Sequence, residues 1–351
     1  MSYSSTVLGG VAFVVAASLP FVAIAREQSD SPRAVAPAAA MPSAAASTDH
    51  GDGHGTGSDG KIDFKAMDKA MKERTEAFPA KTKGLGGQPL APRVLADGTK
   101  QFTVTAAITD WEVEPGKVVK AWTYNGQVPG PTMKVDVGDK VRIVLKNELP
   151  ESTVIHLHGV RIPNAMDGVP DITQHAVEPG KSFTYSFTPD RVAVGMYHSH
   201  HNAVTQVSNG LAGMFLVGDM PVPDGVKVAQ DLPMMLNDSG VIGFSLNGKS
   251  FPATAPIVAA KGEWVQVHYL NEGAMAHPMH LHGLDQLVIA KDGYPLKDPY
   301  HADTIMVGPG ERFTILVKAE LPGTWAWHCH ILSHAESSKG MFGMVTAMVV
   351  K

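Results

Sequence analysis

The 351-residue chain has one cysteine, Cys329, which excludes an intrachain disulfide and leaves the thiol's role to chemistry. Charge is also scarce: Asp, Glu, Lys and Arg make up 18% of the residues, and the formal net charge is -5. That mildly acidic balance gives no argument for nucleic-acid binding. Charge is missing altogether from Val7 to Ala25, an apolar segment that ends in Ala23-Ile24-Ala25 before Arg26. That ending fits the small-residue cleavage pattern of an export signal. No Lys or Arg precedes the segment, however, and its length nearly suffices for an uncleaved membrane anchor. We expect residues 1–25 to direct export by either route, with the folded part periplasmic, at the cell surface or secreted. Residues 26–61 lack hydrophobic periodicity and are dominated by Ala, Ser, Pro, Gly and Asp, the composition of a disordered linker, so His50 and His54 are read as solvated.

What the chain does have is turn formers, 35 Gly and 25 Pro, scattered among short apolar runs. This pattern predicts an all-β protein with many turns, and the length suits about two domains after an N-terminal extension. Within that extension, residues 62–90, Phe64, Met67 and Met71 recur at helical spacing and Pro79 ends the run. A short helix over residues 63–78 is predicted, docked on a domain or on a neighbouring subunit.

The chemistry lies in four His-X-His pairs: His156/His158, His198/His200, His280/His282 and His328/His330, the last enclosing Cys329. On a β-strand alternate side chains share a face, so the histidines of one pair point the same way, about 6 to 7 Å apart. Each can serve a different metal ion of one cluster. Imidazole suits copper, zinc, iron and nickel, but a lone thiolate among histidines with a nearby methionine is the ligand set of a blue-copper electron-transfer site.

Comparing the halves of the chain exposes an internal repeat. Asn125-Gly126 matches Asn247-Gly248. Gly138-Asp139 followed by Val141, Ile143 and Leu145 before Asn147-Glu148 matches Gly262-Glu263 followed by Val265, Val267 and Tyr269 before Asn271-Glu272. His-Leu-His-Gly then appears in both copies, and each closes on a strand bearing the second pair, Tyr197-His198-Ser199-His200 or Trp327-His328-Cys329-His330. Period-two alternation punctuated by Asn-Gly and Pro-Gly turns makes each copy a β-sandwich, over residues 91–220 and 226–351. The alignment also subtracts: Cys329 falls on Ser199, His277 on Thr153 and His334 on Val204. The thiol-containing site therefore exists only in the second copy.

Each copy resembles a cupredoxin domain, a Greek-key β-sandwich, and residues 100–351 resemble the multicopper oxidases. The motifs His277-Pro-Met-His280-Leu-His282-Gly and His328-Cys329-His330-Ile-Leu-Ser-His334 carry the likeness. Placement of the thiol in the second domain resembles the two-domain, small-laccase branch and departs from copper nitrite reductases, which hold it in the first. The resemblance implies four copper ions per chain. A mononuclear type 1 copper is assigned to Cys329, His277 and His334, with Met341 as axial thioether and Met344 as its substitute, since Met341 lies two residues later than the family pattern places it. His156 and His280 would hold a type 2 copper. One type 3 copper would take His158, His198 and His330, and its partner His200, His282 and His328. Asp167 matches the family's acid beside the type 2 copper, and Glu336 is the candidate for a second proton relay. His175, His201, His268 and His301 receive no role.

Four cluster ligands lie in each domain, and the resemblance to two-domain laccases implies a head-to-tail contact that closes into a homotrimer with clusters at the interfaces. The implied activity is oxidation of a reducing substrate, a phenol, aromatic amine or reduced metal ion, coupled to reduction of O2 to water. The competing readings are a copper nitrite reductase and a non-catalytic copper-binding or electron-transfer protein. Cupins and zinc hydrolases also use His-X-His pairs, but neither explains the cysteine.

Overall fold

The computed structural model describes residues 63–351. The export segment, the linker, His50 and His54 lie outside the described residues. No helix among those described is long and apolar enough to cross a membrane. The helix expected in the extension is present as Phe64–Ala77, capped by the Asp63 carboxylate on the amide of Ala66, and the chain leaves it in extended conformation at Phe78 before Pro79.

Two β-sandwiches follow, as the all-β cupredoxin reading requires. In the first, one sheet orders Arg93–Val94, Lys100–Glu114, Val141–Asn147 and Ser182–Phe187, with Lys117–Tyr124 also pairing with Lys100–Glu114. The facing sheet orders Gly130–Val135, Ala212–Val217, Ala193–His198 and His156–His158. In the second sandwich, one sheet runs Gly243–Leu246, Val228–Ser239, Trp264–Asn271, Arg312–Lys318, Gln286–Lys291, Tyr294–Ala302, and the other runs Ile257–Ala259, Val345–Val350, Gly323–Cys329, His277–Leu281, Thr304–Val307. The repeat extends to the backbone. Asn125-Gly126 and Asn247-Gly248 all have positive φ, between 51° and 71°, the conformation of a tight hairpin turn that Asn-Gly favours. In both turns the Asn side chain pins a neighbouring strand: Asn125 accepts from the amide of Thr105 and donates to Thr103 O, and Asn247 accepts from the amide of Met235 and donates to Pro233 O.

Each sandwich has its own core, built on Phe102, Ile143, Leu145, Tyr185 and Phe215 in the first and on Val265, Val267, Ile315, Trp327 and Met348 in the second. A third apolar cluster lies between them. Val194, Met196, Met214 and Leu216 of the first sandwich meet Met235, Leu270, Ile289 and Leu316 of the second. At about 1.5–3 kcal/mol for each side chain of this size taken from water, this contact fixes the two sandwiches as one body.

Candidate metal centres

The strand registers assemble the histidines. His156–His158 pairs antiparallel with Ala193–His198, placing His156 opposite His198; His277–Leu281 pairs antiparallel with Gly323–Cys329, placing His280 opposite His328. Leu157 and Tyr197 point into the first core, and Met279, Leu281, Trp327 and Cys329 into the second. Alternation then puts the histidines on the outer face of each sheet. In the first sandwich the rings of His156, His158, His198 and His200 lie 5.3–6.5 Å apart, and ligand atoms of His156, His158 and His198 all fall within 4.8 Å of one another. In the second, the rings of His280, His282, His328 and His330 lie 4.7–5.7 Å apart, and Nε2 of His282 and Nε2 of His328 approach to 3.0 Å.

Backbone carbonyls orient these rings. Nδ1 of His156 donates to Asp167 O at 2.7 Å and Nδ1 of His280 to Asp303 O at 2.9 Å; Nδ1 of His198 and of His328 each donate to the carbonyl of the next residue, at 3.0 and 2.9 Å. With the proton fixed on Nδ1, the Nε2 lone pair is left for a metal, the usual second partner arrangement of a ligating histidine. Burial lowers the pKa of His156, His158, His198, His282 and His328, and for His158 burial together with the nearby Arg312 guanidinium takes it to about 4. These imidazoles are neutral at neutral pH, as ligands must be. Arg312 was not recognised in the sequence. It comes from the second sandwich, is buried, donates through Nε to Val194 O in the strand that ends at His198, and packs against Gly159, next to His158.

Inside the second sandwich, Cys329 Sγ lies 3.7 Å from His277 Nδ1 and 3.5 Å from His334 Nδ1, and all three residues are buried. His277 Nε2 donates to Asp238 Oδ2 at 3.0 Å, and the same carboxylate accepts the amides of Ala274 and Met275. Burial alone would raise the Asp238 pKa, but these donors outweigh it and hold the carboxyl below its usual range. Asp238 thereby sets the His277 tautomer that turns Nδ1 toward the sulfur, a role no motif signalled. The His334 ring stacks on Phe244, with centroids 4.2 Å apart. Burial pushes the Cys329 thiol up to about 11, so without a cation it keeps its proton. One soft sulfur and two imidazoles in a dry pocket fit copper. Of the two candidate thioethers, Met344 shares the apolar cluster of Cys329, whereas Met341 packs with Ala335, next to His334, in a separate cluster.

The first sandwich shows what replaced this pocket. Ser199 and Thr153, the counterparts of Cys329 and His277, both donate to Gln206 Oε1, at 2.5 and 2.8 Å. Gln206, fully buried, fills the space, whereas Val204, the counterpart of His334 in the sequence alignment, is 89% exposed. The short helix Ala203–Gln206, entered through Asn202 at φ 44°, moves the buried position two residues along.

The acids separate. Asp167 carries its carboxylate to 3.5 Å from His156 Nδ1 and lies beside the first quartet. Glu336 is exposed in the hairpin formed by Glu336–Ser337 and Gly340–Met341, beyond His334, and among the described residues makes no side-chain hydrogen bond or ion pair with either quartet. Of the unassigned histidines, His268 is a buried structural residue held between Asp231 and Thr314, while His175 and His301 are exposed beside Asp171 and Asp285.

Residues 105–221 and 224–350 each match a multicopper oxidase domain. The chain belongs to the multicopper oxidase family. A solved multicopper oxidase, mgLAC, is 35% identical with a TM-score of 0.68, over 72% of this chain and 86% of that one. The blue copper oxidase of Nitrosomonas europaea is 30% identical with a TM-score of 0.66, over the same shares. Among curated relatives, the multicopper oxidase mco of Staphylococcus epidermidis is 30% identical, covering 63% of this chain and 54% of its own length. The chain spans about half the length of the curated relatives it matches. A copper nitrite reductase from Nitrosomonas europaea, 23% identical with a TM-score of 0.63, shares the fold.

Proposed function

We propose that this multicopper oxidase is laccase-like: it takes electrons singly from a small reducing substrate and reduces O2 to water. The observation that carries the reading is Cys329, whose sulfur faces a buried pocket with His277 and His334 while its chain neighbours His328 and His330 face a quartet of imidazoles on the other side of the sheet. A single peptide bond on either side of Cys329 joins the two faces, giving electrons a short covalent route. Copper bound at these ligands would supply the one-electron acceptor in the pocket and the site of O2 reduction at the histidines.

The chain's own residues do the rest. Cys329, His277 and His334, with the Met341 thioether, would hold the mononuclear ion. The eight outer histidines would hold the other three, His156 and His280 sharing the type 2 position. Asp167, beside His156, would pass protons to the cluster; nothing places Glu336 to do so. Burial of the pocket excludes water from the sulfur, and Asp238 keeps His277 in its ligating tautomer.

Neither quartet is complete alone. His200, His282 and His330 are exposed, and among the described residues no ring contact joins the first quartet to the second. We read the two as half-sites that close when the first domain of one subunit meets the second domain of the next, in a head-to-tail trimer. A copper-loaded, fully active monomer would refute that assembly. Copper per chain tests the function itself. About four, falling to about three in Cys329→Ser with donor oxidation abolished, is expected; about one would leave an electron-transfer protein.

A further inference from the structure

Beyond His334 the chain forms the small hairpin of Glu336–Ser337 and Gly340–Met341, then returns so that the amide of Met344 donates to His334 O at 2.9 Å. This is the stretch that is two residues longer than the family pattern. A two-stranded hairpin by itself is marginal in water, so the added length needs support from elsewhere in the fold.

The N-terminal helix supplies it. Along Phe64–Ala77 only Met67, Ala70, Met71 and Arg74 are part-buried, one face at helical spacing. Met71 lies so close over Gly340 that a Cβ there would come within 2.7 Å of the Met71 Cα. Arg74 then makes three contacts with one guanidinium: Nε donates to Met341 O at 2.7 Å, and Nη2 donates to Phe251 O and to Glu114 Oε2 at 3.0 Å. Phe251 is itself tied to the loop, its amide donating to Gly343 O at 3.0 Å, and its ring stacks on Phe78 at the end of the helix. Helix, first sandwich and ligand loop of the second sandwich thus converge on Arg74. Charge-assisted bonds to two carbonyls and a carboxylate use the planar fork of an arginine; lysine cannot span all three.

We infer that Arg74, presented by the N-terminal helix, is a positioning residue for the mononuclear pocket. By fixing the Met341 carbonyl it fixes the loop between His334 and Met344, and with it the distance of the thioether from the Cys329 sulfur. The inference rests on the copper reading given above. In such sites the axial ligand tunes the reduction potential. A loosened thioether donates less to the oxidised ion, so releasing the clamp raises the potential.

The test uses the full-length, copper-loaded protein as wild type, Arg74→Ala, Arg74→Lys, Glu114→Gln and, on the exposed face of the same helix, Lys72→Ala. The readouts are copper per chain, the sulfur-to-copper absorption band, the electron paramagnetic resonance spectrum and the midpoint potential. Expected are unchanged copper content, an altered band and a raised potential in Arg74→Ala and Arg74→Lys, a smaller shift of the same sign in Glu114→Gln, and wild-type values in Lys72→Ala. A wild-type band and potential in either Arg74 variant overturns the inference. Should Arg74→Ala fail to fold, Arg74→Lys, which keeps the charge and the stem, decides alone. A wild-type protein that binds copper without any cysteine-to-copper band overturns the copper reading itself, and that outcome is visible before any variant is made.

Discussion

Glu272 is a carboxylic acid in the wrong place for a charge, and replacing it with glutamine tests how the two sandwiches are joined. It follows strand Trp264–Asn271 and lines a cavity of about 20 Å3 with Val128, Pro129, Gly210 and Ala212 of the first sandwich and Met235 and Asn237 of the second. Its Oε1 has no hydrogen-bond partner there, nor has Asn237 Oδ1. Burial pushes the carboxyl from 4.5 up to about 8, against the pull of the Arg312 guanidinium. An acid whose folded pKa lies above its unfolded value adds its full stability below the unfolded value, and that stability is lost as pH rises through the folded one. Each unit is worth 1.36 kcal/mol. Relative to a neutral glutamine, the acid therefore costs almost nothing near pH 4.5, about 3 kcal/mol at pH 7 and about 5 kcal/mol above pH 8. Glutamine also brings an amide donor to a cavity whose Asn237 oxygen lacks one. Urea unfolding of copper-free wild type and Glu272→Gln, compared from about pH 5 to pH 8, should show a gap that opens with pH in favour of the variant. A gap independent of pH, or a variant less stable throughout, would refute the argument.

Other consequences follow from the same geometry. Asp238→Asn leaves one acceptor oxygen for three donors, Ala274 N, Met275 N and His277 Nε2, and loses the charge that holds the His277 tautomer. Mononuclear copper affinity should therefore fall by about 10- to 100-fold, read by competition with a chelator, while the histidine quartets keep their metal. Met341→Leu should raise the potential of the mononuclear site and Met344→Leu should leave it unchanged; the reverse pattern in redox titrations would give the axial role to Met344. Asp167→Asn should leave copper content intact and slow O2 reduction in single-turnover reoxidation more than it slows donor oxidation, and equal slowing of both would remove Asp167 from proton delivery.

The parts legible in the sequence were those set by short periods. Alternation put each His-X-His pair on one face and the enclosed residue on the other, and the repeat located the thiol site in one domain only. The N-terminal helix was likewise readable, because Met67 and Met71 keep the 3.6-residue spacing over residues 63–78. The functional partners that escaped notice arrive from elsewhere in the fold: Asp238 is 39 residues from His277, and Arg74 is 267 from Met341. Asp303 could have been found, since its carbonyl repeats for His280 what Asp167 does for His156, but its own stretch carries no His-Leu-His-like motif. Gln206 was missed because an alignment without gaps cannot register the left-handed turn at Asn202 that shifts the buried position from Val204.

The Gln206 pocket shows why one copy can lack the thiol site and still carry its histidine quartet. Side chains on a strand alternate, so the inward position held by Cys329 or Ser199 and the outward positions of the flanking histidines are packed against different neighbours. Losing the inward ligands required only that the vacated polar space be satisfied, which Ser199, Thr153 and Gln206 accomplish among themselves. The outward face felt none of it: Nδ1 of His198 is still held by the following carbonyl, as Nδ1 of His328 is in the other copy. Each outward face presents half-exposed imidazoles oriented through Nδ1, and in the second copy Nε2 of His282 and Nε2 of His328 meet at 3.0 Å. Arg312 steadies the first face from outside, its buried guanidinium from the second sandwich held against the strand and glycine beside His198 and His158. The fold thus holds both quartets on outward faces, with Nδ1 of His156, His198, His280 and His328 fixed on backbone carbonyls whichever residue occupies the inward position of the strand.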